Sequence, residues 1–205
     1  MSTSYSSLTH YQEITIIPDP DIAPYFIWSK LFTQLHIGLA DIKNKQGIES
    51  IGIGFPDYHY DDKGKSSKLG LKLRVFALSQ KDLETLSLNS WLSRLTDYVH
   101  IKSISEVGDE AKGHLVVSRY RPKNPLKQAE EFAKYKDISL EAALVHCAAH
   151  KQDNKPYPHI NLKSETNQQP YKLAIIQEVT ASACKGSFNS YGMNNKVDSV
   201  TVPHW

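Results

Sequence analysis

Over the first 105 residues the spacing of apolar side chains switches between strand and helix periods in a fixed order, and no other feature constrains the fold as tightly. Residues 11–17 (YQEITII) are rich in β-branched and aromatic side chains and stop at Pro18-Asp19-Pro20, which predicts a strand closed by a turn. Between residues 23 and 40, Trp28, Leu31, Phe32, Leu35 and Leu39 recur at three- and four-residue intervals, the period of an amphipathic helix, and the stretch 43–47 breaks it. Residues 49–55 (ESIGIGF) and 69–78 (LGLKLRVFAL) predict two strands joined by a polar loop over 57–68. Ser79 can cap a second helix that passes through Leu83 and Leu86 toward Trp91 and Leu95, and residues 98–103 (YVHIKS) close the unit as a strand.

The resulting order, βαββαβ, is the split βαβ of a ferredoxin-like domain, four antiparallel strands with two helices on one face, and also the topology of RNA-recognition modules. The expected fold class is therefore α+β, with a ferredoxin-like domain over 1–105 and a second, divergent α+β half over 106–205. That half starts at a polar joint, 106–113, followed by a strand at 114–120 and a helix whose first residue is Pro125, running to about Lys136. A short helix over Leu140–Ala149, strands near His159–Lys163 and 171–179, and a tail holding Phe188, Tyr191 and Trp205 complete it. There is no internal repeat and no low-complexity tract.

Composition narrows the class. With 40% hydrophobic and 22% charged residues the chain matches a water-soluble globular protein and excludes collagen, coiled coil and wholesale disorder. No run approaches the roughly 18 apolar residues of a membrane span, and residues 1–9 lack the layout of a signal peptide, so a cytoplasmic protein with no membrane partner is expected. Cys147 and Cys184, far apart, are expected to be free, buried thiols.

A formal net charge of +2 hides an uneven distribution. Residues 1–105 carry 11 Lys/Arg against 11 Asp/Glu, whereas residues 112–136 hold Lys112, Arg119, Arg121, Lys123, Lys127, Lys134 and Lys136 against only Glu130 and Glu131. This local excess is either an electrostatic footprint for phosphate or a self-paired helix face, since Lys127 with Glu131 and Glu130 with Lys134 are spaced i,i+4.

Most enzyme signatures are missing: there is no GxxxxGK[ST] loop, no GxGxxG, no GxSxG elbow and no HExxH, so no cofactor is expected. His146 and His150 have helical i,i+4 spacing, but without a third ligand in view two surface histidines are the simpler reading and no metal site is expected. His36 stands out. At 100° per residue it lies about 40° from Phe32 and about 100° from Leu35, at the edge of the apolar stripe. A side chain there can be half-buried and still face a groove, and histidine as a residue type exchanges protons near neutral pH. The alternative is a boundary histidine hydrogen-bonded within the core.

The ordered set LFTQLHIGL, IGIGFPDY, LGLKLRVFA, VVSRYRPKNP, NLKSETNQQPYKLAI and FNSYGM resembles the CRISPR-associated repeat-processing endoribonucleases of the type I-F subtype, from His10 to Trp205. The resemblance implies cleavage of CRISPR precursor RNA at the base of a repeat hairpin, without metal, and retention of the hairpin in a crRNA-guided effector complex with other subunits. By position it implies His36 as the general base, Ser164 as the clamp on the attacking 2′-hydroxyl and Tyr191 as a hydrogen-bond partner of the histidine. It further implies RNA contacts from Arg119 and Arg121 in SRYR, from Thr166 near the cleaved phosphate, from Tyr171 stacked on the terminal base pair, and from Lys123, Lys127, Lys134 and Lys136. Where relatives carry glutamine the chain has Arg121, and where they carry an arginine-dense helix it has a sparser one. A non-catalytic hairpin-binding subunit is the rival reading; the presence of all three of His36, Ser164 and Tyr191 speaks for the nuclease.

Overall fold

The computed structural model describes residues 8–122, 124–149, 155–164, 167–195 and 199–205. Strand β1 (His10–Ile16) is flanked by β3 (Lys72–Ala77) and β4 (Val99–Ile101), and β2 (Gly52–Gly54) lies outside β3, giving the order β2-β3-β1-β4 with every neighbouring pair antiparallel. Ile14 sits opposite both Leu73 and Ile101, and the two-residue strand β5 (Ser105–Glu106) pairs with the start of β1. Helices α1 (Pro24–Gln46) and α2 (Gln80–Leu86) touch each other and β1. The observed α+β order is the ferredoxin-like order predicted from hydrophobic period.

Two helix ends differ from expectation. Helix α1 runs past residue 40 to Gln46, because Lys43 and Lys45 are good helix formers that find Glu49 at 3.0 Å and Asp41 at 2.8 Å. Gly47 is what stops it, adopting φ 69 and donating its N–H to the Lys43 carbonyl. The second helix is capped by Ser79 as expected but ends at Leu86, where Ser87 turns left-handed at φ 51; a short turn α3 (Leu88–Trp91) then restarts the chain. Apolar period cannot reveal a single left-handed residue.

The second sheet has the order β7 (His159–Lys163), β8 (Pro170–Thr180), β6 (Gly113–Tyr120), β9 (Val202–His204), again antiparallel throughout. Between β6 and β7 the chain makes a helical hairpin. Asn124 caps α4 (Pro125–Lys136) by accepting from Leu126 N at 3.0 Å, Asp137 ends it at φ 52, and α5 (Leu140–Ala149) folds back so that Ala129 and Ala143 are buried. Among the described residues no helix is long and apolar enough to cross a membrane.

One continuous apolar core joins the sheets, running from Leu31, Phe32 and Leu35 through Ile53 and Phe55 to Val117, Leu162 and Ile175. The approach is close enough to need glycine. A Cβ on Gly52 would stand 2.6 Å from both Phe188 Cζ and Val202 Cγ1, two buried side chains with nowhere to go. Hydrogen bonds cross the joint as well: Gln177 Oε1 accepts from Phe55 N and Gln177 Nε2 donates to Phe55 O, both at 2.9 Å, while Ile53 N donates to Gly192 O at 2.9 Å. Tyr58 donates its hydroxyl to Ile175 O at 3.0 Å, and burial pushes its phenol up to about 12, so it remains a donor at every ordinary pH.

On the first sheet Glu13 is 3% exposed and holds Arg74 Nε at 2.9 Å and Lys102 Nζ at 2.7 Å. Arg74 donates in turn to Trp205 O at 3.0 Å and lies 3.9 Å over the Trp205 ring. Burial alone would raise the Glu13 carboxyl; the hydrogen bonds and charges of Lys102 and Arg74 outweigh it and hold the group below its ordinary range. A carboxyl lowered on folding adds stability that is complete above its unfolded pKa and disappears as pH falls through the folded one. Glu13→Gln should therefore destabilise the protein at pH 7 by roughly 3 kcal/mol, the scale of a broken buried pair, and the gap to the parent should close in acid; urea titrations at pH 7 and below pH 4 measure both. A gap independent of pH would mean the pair contributes by packing alone.

Candidate active site

Three residues on one side of α1, Thr33, His36 and Ile37, have i, i+3, i+4 spacing and form the edge of its apolar stripe. They face the end of β7, where Ser164 follows the last strand residue, and with Arg119, Tyr171 and Tyr191 they line a cavity of about 390 Å³. The first sheet's helix thus supplies the histidine with Thr33 and Ile37, the second sheet Arg119, Tyr171 and the end of β7, and a C-terminal turn Tyr191.

His36 Nδ1 lies 2.7 Å from Ser190 O. A carbonyl can only accept, so Nδ1 carries the proton and, in the neutral ring, the lone pair sits on Nε2. Tyr191 covers one face of the imidazole, with centroids 4.0 Å apart and planes at 1°, and Phe32 stacks beyond it at 6.4 Å. The expected hydrogen bond between Tyr191 and the histidine is corrected here: the tyrosine orients the imidazole with its ring face, because its hydroxyl is committed to the Tyr171 hydroxyl at 2.9 Å. Burial, and then the hydrogen bond with Tyr191, raise the Tyr171 phenol well above its ordinary value and keep it neutral.

The turn that carries Ser190 and Tyr191 is built by Asn189. Its Oδ1 accepts from Tyr191 N at 2.8 Å and Met193 N at 3.3 Å, and its Nδ2 donates to Asn194 O at 3.1 Å. Gly192 closes the turn at φ 69 and could be nothing else, since a Cβ there would stand 2.7 Å from Ile53 Cγ2. Ser164 is fixed by the β7–β8 turn, donating its N–H to Gln169 O at 2.9 Å. The Arg119 guanidinium lies 5.2 Å over the Tyr171 ring, and its buried Nε has no hydrogen-bond partner among the described residues.

Of the residues singled out in the sequence, His36, Ser164, Tyr191, Arg119 and Tyr171 meet in this one cavity. Arg121, Lys127, Lys134 and Lys136 lie outside it on exposed surface, the last three along α4, and Lys123 and Thr166 fall outside the described residues. His146 stacks on Phe132 at 4.4 Å, which gives it a packing role in the helical hairpin; its i+4 neighbour His150 is outside the described residues. Sequence reasoning missed Thr33, Ile37, Lys163 and Asn167 as lining residues. The helical spacing around His36 could have found the first two, whereas nothing in the sequence marks the Ser190 carbonyl.

Fold and cavity together define an α+β protein with a ferredoxin-like first sheet and a histidine-bearing cleft where a second antiparallel sheet meets it. Comparison with known proteins makes the assignment specific. The chain belongs to the family described as CRISPR-associated protein (Cas_Csy4), whose model matches residues 11–205. It is 31% identical over 198 residues to the CRISPR-associated endonuclease Cas6/Csy4 of Escherichia coli (strain UTI89 / UPEC), covering 96% of this chain and 99% of that protein. It is also 31% identical over 191 residues to the protein of the same name from Pseudomonas aeruginosa (strain UCBPP-PA14), covering 91% of this chain and 96% of that one.

The Nδ1-protonated tautomer is directly observable. Ring ¹⁵N chemical shifts of the neutral His36 imidazole should report a protonated Nδ1 and a bare Nε2; the opposite tautomer would mean that the Ser190 carbonyl does not hold the proton.

Proposed function

We propose that the protein is a metal-independent endoribonuclease that cuts CRISPR precursor RNA at the base of the repeat hairpin and stays bound to that hairpin within a crRNA-guided effector complex of type I-F, beside its other subunits. What supports the reading most is the meeting of His36, Ser164 and Tyr191 in one cavity with Arg119 and Tyr171, in a chain whose relatives are named CRISPR-associated endonucleases.

The chemistry follows from the residues. His36 Nε2 takes the proton of the 2′-hydroxyl beside the scissile phosphate, while the Ser190 carbonyl on the opposite nitrogen stabilises the imidazolium that results. Ser164 holds the ribose so that the 2′-oxygen attacks phosphorus in line with the 5′-oxygen, which leaves after taking a proton from water. The products are a 2′,3′-cyclic phosphate and a 5′-OH. Arg119 reads a guanine at the foot of the stem with its planar fork, Tyr171 supports the last base pair, and Arg121 with Lys123, Lys127, Lys134, Lys136 and Thr166 meets the backbone. In this arrangement the halves 1–105 and 106–205 divide the labour, base on the first and RNA contacts mostly on the second. The rival, a hairpin-binding subunit without chemistry, has no need of a tautomer-fixed imidazole beside a hydroxyl clamp.

His36→Ala should lower the single-turnover cleavage rate by roughly 10²–10⁴-fold, the range of a lost general base, with hairpin affinity nearly unchanged; undiminished cutting by the variant would remove His36 from the mechanism. A hairpin with a single 2′-deoxy nucleotide at the cut should bind within a factor of about ten of the all-ribose substrate, since one hydrogen bond is worth about 0.5–1.5 kcal/mol, and should stay intact in EDTA and in Mg²⁺ alike. Cleavage of that substrate, or a 3′-OH product, would mean attack by water and sink the assignment of all three residues.

A further inference from the structure

Helix α1 and strand β7 run side by side away from the His36 cavity, and toward the first turn of the helix the trough between them opens into a second, larger groove of about 960 Å³. Tyr25 and Trp28 of α1, Lys68 of the 57–68 loop, and Tyr157, His159 and Asn161 at the start of β7 line it. The distances along the two elements agree. From Tyr25 to His36 the helix rises about 16 Å, and from His159 to Ser164 the strand advances about 16 Å, so groove and cavity are two stations on one path.

The walls suit unpaired bases. Tyr25 is 67% exposed in the first turn of the helix, its ring uncovered. Across the groove the Tyr157 ring rests on Tyr60 at 4.5 Å and on Tyr120 at 4.9 Å, and burial raises its phenol, so this aromatic bank is neutral. The outer wall is an ordered turn: Asp61 accepts from the N–H groups of Lys63 and Ser66, and Gly64, at φ 71, lies so close to Pro156 that a Cβ would stand 2.7 Å from its Cβ. Lys68 and Asp57 leave the groove close to neutral, unlike the basic α4. Proteins hold single strands without reading sequence by stacking bases on exposed rings beside cations that follow the backbone; here Tyr25 supplies the ring and Lys68 the cation.

We propose that this groove binds the single-stranded RNA on the 3′ side of the cut, the first few nucleotides of the strand that departs with the 5′-OH. The inference rests on the RNA-cleaving reading above. Arg119 and Tyr171 close the cavity on the side of β6 and β8, where the reading above seats the stem, which leaves the α1–β7 trough as the way out for a strand that continues past the scissile phosphate. Tyr25 stacks on a base, Lys68 meets a phosphate, and the leaving strand is drawn straight so that its 5′-oxygen lies opposite the attacking hydroxyl.

The test uses the full chain and a hairpin made uncleavable by one 2′-deoxy nucleotide, with no extension, with about four unpaired nucleotides 3′ of the cut, or with the same number on the 5′ side. The 3′ extension should tighten binding about tenfold, the scale of one stacked base, and the 5′ extension should not. Tyr25→Ala should abolish the gain, Tyr25→Phe should keep it, and all three proteins should bind the unextended hairpin equally. Equal affinity with and without the 3′ extension, or a gain that survives both Tyr25→Ala and Lys68→Ala, overturns the inference and leaves the groove to another occupant, a protein segment included, while hairpin cleavage stands. A hairpin that is neither bound nor, in its ribose form, cut would strike the nuclease reading itself and this inference with it.

Discussion

One glutamine does the work of a strand. Gln177 lies in β8, and its side-chain amide pairs with both the N–H and the C=O of Phe55 just beyond β2, the pattern a neighbouring backbone would offer. Everything at the cleft depends on this joint, because the imidazole hangs from the helix of one sheet and Ser164, Arg119 and Tyr171 from the other. Two packed layers that could slide by even an ångström would lose the geometry. The half-buried amide pair, the Tyr58–Ile175 bond and the glycine contact at Gly52 prevent it, since polar groups paired away from bulk water are expensive to separate and close-packed ones have no room to shift.

Within the cleft the aromatic residues form a stack and a chain. Phe32 backs Tyr191, Tyr191 backs His36, and the Tyr191 hydroxyl ties that stack to Tyr171, over which Arg119 lies. Histidine, tyrosines and arginine are therefore mechanically one unit, although they come from four separate parts of the chain. The charge on α4 is organised differently: Lys127, Lys134 and Lys136 are exposed and share their helix with Glu130 and Glu131, so whatever phosphate they meet is met in high dielectric.

How much of this was legible in the sequence depends on range. The βαββαβ order, the α4 helix from Pro125 to Lys136 and the α5 helix from Leu140 to Ala149 were readable because periodicity and capping act within a few residues. His36 was readable as a stripe-edge residue for the same reason. The left-handed break at Ser87 was not, since its cause is a single backbone conformation with no side-chain signature. The motifs pointed to Ser164, Arg119, Tyr171 and Tyr191 but not to the face-on contact of Tyr191 with His36, which is set by where the Asn189 turn delivers the ring. Nor could one linear stretch disclose Gln177 bonded to a backbone 122 positions away.

The group that fixes the histidine's proton is a main-chain carbonyl, that of Ser190. Every amino acid has one. Replacing the Ser190 side chain leaves the bond in place, and a scan that truncates side chains one at a time would pass over the position without a mark. The orientation of the imidazole is inherited through the shape of a turn, held by Asn189 and Gly192, rather than through the identity of the residue that makes the contact. A lineage of such proteins could drift freely at position 190 and yet be tightly bound at 189 and 192, so the imprint of function would fall beside the functional atom instead of on it.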